Sequence, residues 1–368
     1  MKNVFLICYL NKNLGDDLFV RIVTERFKKF NFVCFASESV DINFYKNNLG
    51  VNCWKYTKIK KEIDKVFYLM FGITWFMAKE LKKYEKTLLL GGSIFMQSKG
   101  WKKSFWLNNI IIDGSKDFNV VGANFGPYKD STFYEYYYNA FKKCVSVTFR
   151  DKYSMDLFSD LSNVKNRPDV VFSIFQEYSC LKRTNKKIGI SLIDLGSRNS
   201  LVNYKTQYLD FVFVLIKYFL KKDYEIQLFS FCEPEKDMVA CEEVFNILSK
   251  NCIDMSHILI KNYDGDIDDC LKEISECEYI VGTRFHSIIL GWLFEIKTLP
   301  IIYSDKTLNV IKDIDSNIKY WDIRSPLDVR NMEIESFFSY PNNIKALSEK
   351  SKEQFLCLQE MDGYCNES

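Results

Sequence analysis

Short runs rich in apolar and β-branched residues alternate along this chain with stretches that have helical spacing. In the first half the runs are KNVFLICYL, NFVCFA, TLLLGG, FNVVGANFG and SVTFR. Segments such as DDLFVRIVTERFKKF separate them and repeat apolar residues every three or four positions. Strands that alternate with helices form parallel sheets connected by right-handed crossovers. The first half therefore predicts one doubly wound α/β domain.

The alternation starts again after a polar and basic stretch at residues 183–187, with the runs KIGISLI, EIQLFSF, HILIKNY, EYIVGTR and LPIIYS. A chain of 368 residues is long enough for two such cores. We therefore expect an N-terminal Rossmann-like domain over residues 1–183 and a C-terminal one over residues 184–342, facing each other across a cleft. Residues 343–368 are expected to form a terminal helix that packs back on the body.

Composition excludes several classes of function. Lysine plus arginine total 50 against 48 for aspartate plus glutamate, and the two signs are interspersed, so we expect no nucleic-acid partner. The 12 cysteines are scattered and the start MKNVFLICYL lacks the pattern of a signal peptide, which predicts reduced thiols and a cytoplasmic location. The most closely spaced pairs considered for zinc, Cys270 with Cys277 and Cys357 with Cys365, lack the spacing of a zinc site, so no metal is predicted.

The longest apolar run is VFYLMFGITWFMA, at residues 66–78. It is much shorter than the ~20 residues needed to cross a bilayer. The interpretation we favour is a helix buried in the core or at a domain interface, because apolar helices are mostly buried. Contact with a membrane surface is the alternative.

Ligands of parallel α/β sheets bind beyond the carboxyl ends of the strands, so the residues that follow each strand are the candidates for a site. After the first strand, Gly15 permits a tight turn and either Asp16 or Asp17 can cap the next helix. Asp16 has two interpretations of equal weight. It is a helix cap, or it is a carboxylate that binds sugar hydroxyls or acts as a general base.

Two later loops have features of an anion site. Gly91 and Gly92 follow a strand, where their backbone N–H groups could bind an anion or simply form a turn. Arg150 ends another strand and Asp151 begins a helix. This pair is either a local ion pair with a cap, or it directs a guanidinium into the cleft, where it suits a carboxylate or a phosphate.

The stretch VGTRFHSIILGW places Arg284 and His286 between a strand that ends at Gly282 and an apolar helix. Residues two apart share a side only in an extended chain. We therefore predict an extended turn with Phe285 directed into the core, so that the guanidinium, the imidazole and the helix start form one anion pocket. The alternative is a satisfied core histidine beside an arginine that pairs with a neighbouring carboxylate.

Taken in order, these motifs resemble those of the polysaccharide pyruvyl transferase family, over about residues 1–310. The matching motifs are Asn13-Leu14-Gly15-Asp16-Asp17, Gly91-Gly92-Ser93, Gly122 through Gly126-Pro127, Arg150-Asp151 with Ser154, Gly189-Ile190-Ser191, Glu233-Pro234-Glu235-Lys236-Asp237, and Arg284-Phe285-His286 with Pro300. The chain departs from the family at Leu90, where many members have glycine, and at Pro168-Asp169, where the reverse order is usual.

The resemblance implies a glycosyltransferase-B-like fold and transfer of a pyruvyl group from phosphoenolpyruvate to a sugar of a surface polysaccharide or its lipid-linked precursor. The product is a pyruvate ketal, and phosphate is released. Arg284 and His286 match the family's Arg-x-His donor motif, and Arg150 matches its Arg-Asp arginine. The predicted catalytic residues are His286, Arg284 and Asp16, the predicted donor-binding residues are Arg150, Arg284, His286, Thr283 and Ser287, and the predicted acceptor-binding residues are Asn13, Gly15, Asp16, Gly91, Gly92, Ser93 and Asn124.

The implied chemistry suits these residue types. Phosphoenolpyruvate is a small anion that two arginines beside a helix start can bind. Ketal formation needs an acid for the methylene carbon and a base for the hydroxyls, and no cofactor or metal is expected. His286 is either that acid or a partner of the phosphate, and Asp16 is the candidate on the acceptor side.

Two other functions stay open from the sequence. A nucleotide-sugar-dependent glycosyltransferase of polysaccharide synthesis would use the same fold, with Arg284 and His286 on a diphosphate. A binding module that has lost the reaction is the third alternative. The sequence does not identify the acceptor sugar, the bridged hydroxyls, a lipid linkage that would bring the protein to the inner membrane face, or the oligomeric state.

Overall fold

A computed structural model describes residues 2–175, 186–198, 200–326 and 333–363. The chain divides into two compact units. The first consists of Met1–Leu10, Asp16–Val170 and Glu349–Ser368, and the second of Asn11–Gly15 and Val171–Ser348. The second unit thus includes the short segment that leads into the first helix. The predicted boundary at residues 183–184 lies outside the described residues.

The first unit contains a seven-stranded sheet within the described residues, and every neighbouring pair is parallel. The strand order is β3-β2-β1-β4-β5-β6-β7. These strands are β1 Lys2–Ile7, β2 Phe30–Ser37, β3 Asn52–Tyr56, β4 Lys86–Phe95, β5 Phe118–Phe125, β6 Ser146–Phe149 and β7 Val164–Asn166. Strands β3 and β7 were not predicted, because β3 is partly polar and β7 has only three residues.

The second unit contains a six-stranded sheet in the described part of the chain, again parallel throughout. Its order is β10-β9-β8-β11-β12-β13, the arrangement of a doubly wound dinucleotide-binding fold. These strands are β8 Lys187–Ser191, β9 Glu225–Ser230, β10 Ile258–Asn262, β11 Tyr279–Gly282, β12 Lys297–Ile302 and β13 Trp321–Asp322. The last strand, of two residues, was not predicted.

Helices connect successive strands, as parallel pairing requires. In the first half they are α1 Leu14–Arg26, α2 Ile42–Leu49, α3 Lys58–Phe71, α4 Phe76–Leu81, α5 Trp101–Gly114, α6 Ser131–Phe141 and α7 Lys152–Asp156. In the second half they are α8 Lys205–Leu220, α9 Asp237–Lys250, α10 Ile267–Ser275, α11 Phe285–Leu293 and α12 Asp305–Ile314. Two more helices follow the last strand, α13 Ile344–Ser351 and α14 Leu356–Asp362.

Each sheet has a central strand that is buried along its whole length. All eight residues of β5 are buried in the first unit, and all five of β8 in the second. Strands of this kind are covered by helices on both faces, so they read as continuous apolar runs and not as an alternating pattern. The prediction of two doubly wound α/β domains is confirmed.

Among the contacts that hold the end of the chain in the first unit are those of one buried side chain, Gln354. Gln354 accepts a hydrogen bond from the backbone N–H of Gly122 at 3.0 Å and another from the hydroxyl of Thr148 at 2.5 Å. Its amide nitrogen donates to the carbonyls of Arg167 and Pro168, each at 3.0 Å. This part of the terminal segment therefore packs on the carboxyl half of β5.

Residues 66–78 do not form one buried helix. Helix α3 ends at Phe71, Gly72 adopts a left-handed conformation with φ of 70°, and α4 starts only at Phe76. Several of the apolar side chains in this segment are exposed to solvent. The favoured interpretation of a core helix is therefore wrong. No helix among the residues that the structure describes is long and apolar enough to cross a membrane.

Candidate functional site

The junction between β11 and α11 in the second unit carries Arg284 and His286. Arg284 is the last extended residue, with φ of −73° and ψ of 135°, and the helix begins directly at Phe285. His286 therefore lies in the first helical turn, and the predicted extended turn is wrong. Phe285 is only half-buried and contacts the ring of His286 edge-on, with the centroids 5.2 Å apart, so it is not directed into the core as predicted.

The helix can start directly after Arg284 because Ser191, at the end of β8, binds the residues at this junction. The hydroxyl oxygen of Ser191 accepts the backbone N–H of Arg284 at 3.0 Å. It also accepts a hydrogen bond from the hydroxyl of Ser287 at 2.9 Å. Ser287 in turn lies 2.6 Å from the carbonyl oxygen of Arg284. These bonds satisfy backbone groups that a helix start leaves without partners.

Two carboxylates hold the guanidinium of Arg284. Asp237, which is fully buried, binds it through both oxygens, with the Nε–Oδ2 distance at 2.8 Å. Glu235 binds Nη1 through Oε2 at 2.5 Å. Burial acts against the charged guanidinium, but Asp237 outweighs it and raises the pKa of Arg284. The ion-paired arginine considered from the sequence is therefore present in the structure.

A second arginine shares the same carboxylate oxygen. Nη2 of Arg198 lies 2.5 Å from Oε2 of Glu235, and its guanidinium carbon is 5.4 Å from the ring centroid of Tyr303. Burial alone would raise the pKa of Glu235, but the charges of Arg284 and Arg198 outweigh it and lower that pKa. Glu235 is therefore ionised at neutral pH. Its side chain is 34% exposed, so this end of the cluster is accessible to solvent.

The imidazole of His286 packs against the backbone of Gly15. A Cβ atom on Gly15 would overlap the ring at Nδ1, so only glycine allows this approach. The segment is held in place by backbone contacts, since Leu14 N–H donates to the carbonyl of Phe231 at 3.1 Å and Asn13 forms a bridge with Cys232. Two predicted site segments that are far apart in the sequence therefore meet in the second unit.

Thr283 and Ser287, both predicted to bind the donor, are buried and bonded within the protein. The hydroxyl of Thr283 lies 3.1 Å from the hydroxyl of Tyr208. Ser287 is bonded to Ser191 and Arg284, as described above. Both side chains therefore stabilise the junction that carries Arg284.

Arg150 in the first unit is also held by neighbours. Its Nη1 lies 2.8 Å from Oδ2 of the fully buried Asp169, and its Nε donates to Oδ1 of Asn124 at 2.5 Å. Asn124, predicted to bind the acceptor, is itself buried and donates to Asp151. Asp151 caps α7 by accepting the N–H of Ser154 at 2.8 Å, which confirms the predicted cap.

Asp16 lies in the first turn of α1 and close to Gly92. Helix α1 starts at Leu14, and Asn13 accepts the N–H of Gly15 at 3.2 Å, so the prediction that Asp16 or Asp17 caps this helix is wrong. A Cβ atom on Gly92 would lie 3.4 Å from Oδ1 of Asp16. The structure thus brings together two residues predicted for the acceptor side.

The two glycines of this region are part of β4 and do not follow it. Gly91 and Gly92 have φ of 55° and 66°, and the pairing with β5 shifts register between Gly92 and Phe95. A Cβ atom on Gly91 would overlap the ring of Phe19, so this glycine makes room for α1 on the sheet. Ser93, within the irregular part of the strand, is partly exposed.

The candidate residues form separate groups in the two units. Asn13, Gly15, Arg284 and His286 belong to the second unit, whereas Asp16, Gly91, Gly92, Ser93, Asn124 and Arg150 belong to the first. Among the described residues, no group of three or more histidine, cysteine, aspartate or glutamate side chains is placed to hold a metal.

Sequence reasoning did not single out Arg198, Ser191, Tyr303 or Asp169 as site residues. Ser191 lies in a motif that contributes to the resemblance, and Asp169 lies where the chain departs from the family pattern. Ser191 ends a strand and Asp169 follows one, and those positions could have identified them. Arg198 and Tyr303 follow β8 and β12 and lie outside the quoted motifs. The carboxyl-end rule for parallel sheets is the signal that could have found them.

Comparison with known proteins gives a family and a fold. The sequence profile described as polysaccharide pyruvyl transferase matches residues 13–305. Among solved structures, Anabaena HepE in complex with UDP and glucose superposes with a TM-score of 0.56 at 10% identity, covering 99% of this chain and 100% of HepE. Acinetobacter baumannii MurG gives 0.52 at 11% identity, covering 96% and 94%, and the S. aureus MnaA–UDP structure gives 0.56 at 9%, covering 100% and 99%. These proteins share the two-domain glycosyltransferase-B type of fold.

Proposed function

The chain belongs to the polysaccharide pyruvyl transferase family, and we propose that it transfers the pyruvyl group of phosphoenolpyruvate to two hydroxyls of one sugar. Membership of the family indicates a transferase that acts in polysaccharide pyruvylation. The donor, the ketal product and the roles of individual residues are part of the proposal. The acceptor is a saccharide of a surface polysaccharide or of its lipid-linked precursor, and the reaction takes place on the cytoplasmic side of the membrane.

The observation that carries the proposal is the arginine pair of the second unit. Arg198 and Arg284 both lie 2.5 Å from one oxygen of Glu235, beside the start of α11 and its residue His286. Two guanidinium groups that converge on one carboxylate oxygen are arranged to bind a small carboxylate or phosphate. The helix start adds backbone N–H groups that favour an anion at the same place.

We propose that the two carboxylates of this cluster have different roles. Asp237 is fully buried and binds Arg284 through both oxygens, so it holds the guanidinium in place. Glu235 is 34% exposed and binds both arginines through a single oxygen. An incoming donor can therefore take the place of Glu235 on the two arginines, while Asp237 keeps Arg284 in position.

The proposed reaction begins when His286 protonates the methylene carbon of the donor, which becomes the methyl group. The C2 atom is then electrophilic, and one sugar hydroxyl adds to it with loss of its proton. The second hydroxyl attacks C2 as the C2–O bond to phosphate breaks, and the departing phosphate takes the proton of that hydroxyl, so inorganic phosphate leaves and the ketal is complete. A histidine is suited to the first step because its unperturbed pKa lies near neutrality.

On the acceptor side, we propose that Asp16 orients or deprotonates a sugar hydroxyl. Its carboxylate lies next to Gly92, which has no side chain to keep a sugar ring away from that carboxylate. Arg150 is proposed as a further donor-binding residue because it matches the arginine of the family's Arg-Asp motif. Asn124 and Asp169 fix the orientation of its guanidinium.

The proposal is tested by release of inorganic phosphate from phosphoenolpyruvate in the presence of sugar acceptors. We expect the parent protein to release phosphate only when a suitable acceptor is present, and His286→Ala to lower that rate by about 100-fold or more, the usual scale for a general acid. Thermal shifts with phosphoenolpyruvate and with nucleotide sugars follow donor affinity. Stabilisation by nucleotide sugars alone would contradict the proposal and support a glycosyltransferase.

Arg198 offers a separate test of the donor site. Arg198→Ala is expected to raise the KM for phosphoenolpyruvate by about 10-fold or more, because it removes one charged hydrogen bond to the donor. The effect on kcat should be smaller. Arg324→Ala is the matched control, since Arg324 is also a partly exposed arginine of the second unit that pairs with two aspartates. Equal KM values for the parent and Arg198→Ala would exclude Arg198 from the donor site.

A further inference from the structure

Helix α3 and the turn that follows it carry a continuous exposed apolar surface, here called the α3 patch. Ile59, Ile63, Val66 and Met70 recur at helical spacing along one face of the helix. The patch also includes two further residues of the last helical turn and two residues beyond the helix end. Its members, exposed by between 36% and 85%, are Ile59, Ile63, Val66, Leu69, Met70, Phe71, Ile73 and Trp75. Contiguous exposed apolar surface of this kind marks an interaction site.

The α3 patch has a rigid base. Asp64, on the opposite face of α3, is fully buried and accepts the backbone N–H groups of Trp75 and Phe76 at 2.7 Å and of Met77 at 3.0 Å. The hydroxyl of Tyr56, the last residue of β3, donates to the same carboxylate at 2.9 Å. Four hydrogen bonds to one carboxylate fix both the helix and the turn, so the apolar side chains are presented on an ordered support.

This attachment also places α3 at a particular edge of the sheet. Tyr56 ends β3, so the middle of α3 is bound at the carboxyl end of that strand. Tyr68 contacts Trp106 of α5, with the ring centroids 6.0 Å apart, which ties the far end of the helix to the same domain. The carboxyl ends of parallel strands lie on one side of a sheet, where Asp16 and Gly92 of the proposed acceptor region also lie.

Lysines accompany the apolar side chains of the α3 patch. From the start of β3 to the end of α3 the chain has five lysines against two acidic residues. One of these acids is the buried Asp64, and the other, Glu62, pairs with Lys65 at 2.5 Å. The lysines are Lys55, Lys58, Lys60, Lys61 and Lys65. An apolar helix face with lysines at its polar side is typical of helices that lie in the plane of a membrane interface.

We propose that the α3 patch docks the protein on the surface of an anionic lipid membrane. The apolar side chains would enter the boundary between headgroups and acyl chains, while the lysines contact anionic headgroups. Charge favours this occupant over a second copy of the chain, because pairing two α3 patches would bring their lysines together. Trp75, which is 54% exposed at the edge of the patch, belongs to the residue type that prefers the membrane interface.

The test is cosedimentation of the full chain with lipid vesicles, with no donor present. We expect binding to phosphatidylcholine vesicles that contain about one third phosphatidylglycerol, and much weaker binding to phosphatidylcholine alone. The triple variant Leu69→Ser, Met70→Ser, Phe71→Ser should bind the anionic vesicles about 100-fold more weakly, because it removes three inserting side chains. Lys58→Glu combined with Lys61→Glu should lower binding by roughly 10-fold at low salt.

Val145→Ser is the matched control, because Val145 is 55% exposed in the first unit but lies outside the α3 patch. It should bind like the parent. Circular dichroism and Tm of the triple variant should match the parent, since the substituted side chains are exposed. Failure of the parent to bind either kind of vesicle would overturn the proposal, and so would equal binding by the parent and the triple variant.

Two further measurements separate the alternatives. Quenching by brominated phospholipids should be lower for Trp75→Phe than for the parent, because Trp75 reaches the interface. A parent dimer that the triple variant converts to a monomer, with no vesicle binding, would assign the patch to a second copy and overturn the proposal. Vesicle binding is measured without donor and does not depend on the proposed pyruvyl transfer. A protein that binds vesicles but releases no phosphate would therefore contradict only the proposed function, and one that releases phosphate but binds no vesicles would contradict only the membrane proposal.

Discussion

Arg284→Met is expected to lower the free energy of unfolding by about 3–5 kcal/mol, the usual cost of removing one partner from a buried ion pair. Asp237 is fully buried and binds the guanidinium through both oxygens, so the substitution leaves its charge without compensation. Urea unfolding followed by circular dichroism measures the change. The parent and Arg167→Met provide the comparison, because Arg167 forms a partly exposed pair with Glu353.

A double variant separates the structural role of Arg284 from its proposed role at the donor. Asp237→Asn in the Arg284→Met background removes the uncompensated charge and keeps an oxygen for the N–H groups of Phe231 and Cys232. We expect most of the lost stability to return, while phosphate release stays about 100-fold or more below the parent. A stable double variant that releases phosphate at the parent rate would remove Arg284 from the active site.

Gly15→Ala is expected to lower phosphate release by about 100-fold, because small displacements of a catalytic group have effects of this size. The added methyl group would overlap Nδ1 of His286, so the imidazole, the start of α1 or both must move. Overpacking of this kind costs about 1–3 kcal/mol of stability. Phosphate release and urea unfolding together measure both effects.

His286→Ala provides the control for Gly15→Ala, since it removes the ring that the methyl group meets. In that background the cost in stability should disappear or change sign, because alanine favours a helix over glycine by about 1 kcal/mol. The difference between the two backgrounds is the coupling between Gly15 and His286. An equal cost in both would show that the imidazole does not pack against Gly15 in solution.

The domain class and the family could be predicted because they depend on local patterns. Buried strands such as β5 and β8 read as continuous apolar runs, and the helical spacing between them is strong. The cap formed by Asp151 was also predictable, because a cap depends on residues within one helical turn. Strands as short as β7 carry too little pattern to be recognised.

The partners of Arg284 could not be predicted in the same way. Glu235 and Asp237 lie almost 50 positions before it and belong to the region that follows β9. They meet Arg284 because β9, β8 and β11 are neighbours in the sheet, which brings their carboxyl ends to one edge. The extended turn predicted from the two-residue spacing was wrong. Ser191, on β8, accepts the backbone N–H of Arg284, and the helix begins at the next residue, Phe285.

The exposure of the apolar segment at residues 66–78 also could not be predicted from the sequence. Its composition is that of a core helix, and hydrophobic content alone does not distinguish a buried face from an exposed one. Several of its side chains are exposed because Asp64, which precedes them in α3, faces the core and binds Tyr56 and the start of α4. The apolar face then has to point outward.

The sequence by itself determined two parallel-sheet domains, the order of motifs that defines the family, and the residue types available for an anion. These follow from periodicities and spacings within single elements. Only the tertiary structure decided that Arg198 and Arg284 share Glu235, that His286 packs on Gly15, and that the α3 patch faces solvent. Each of these depends on which strands are neighbours and on which face of a helix is covered, and both are set by contacts between residues far apart in the chain.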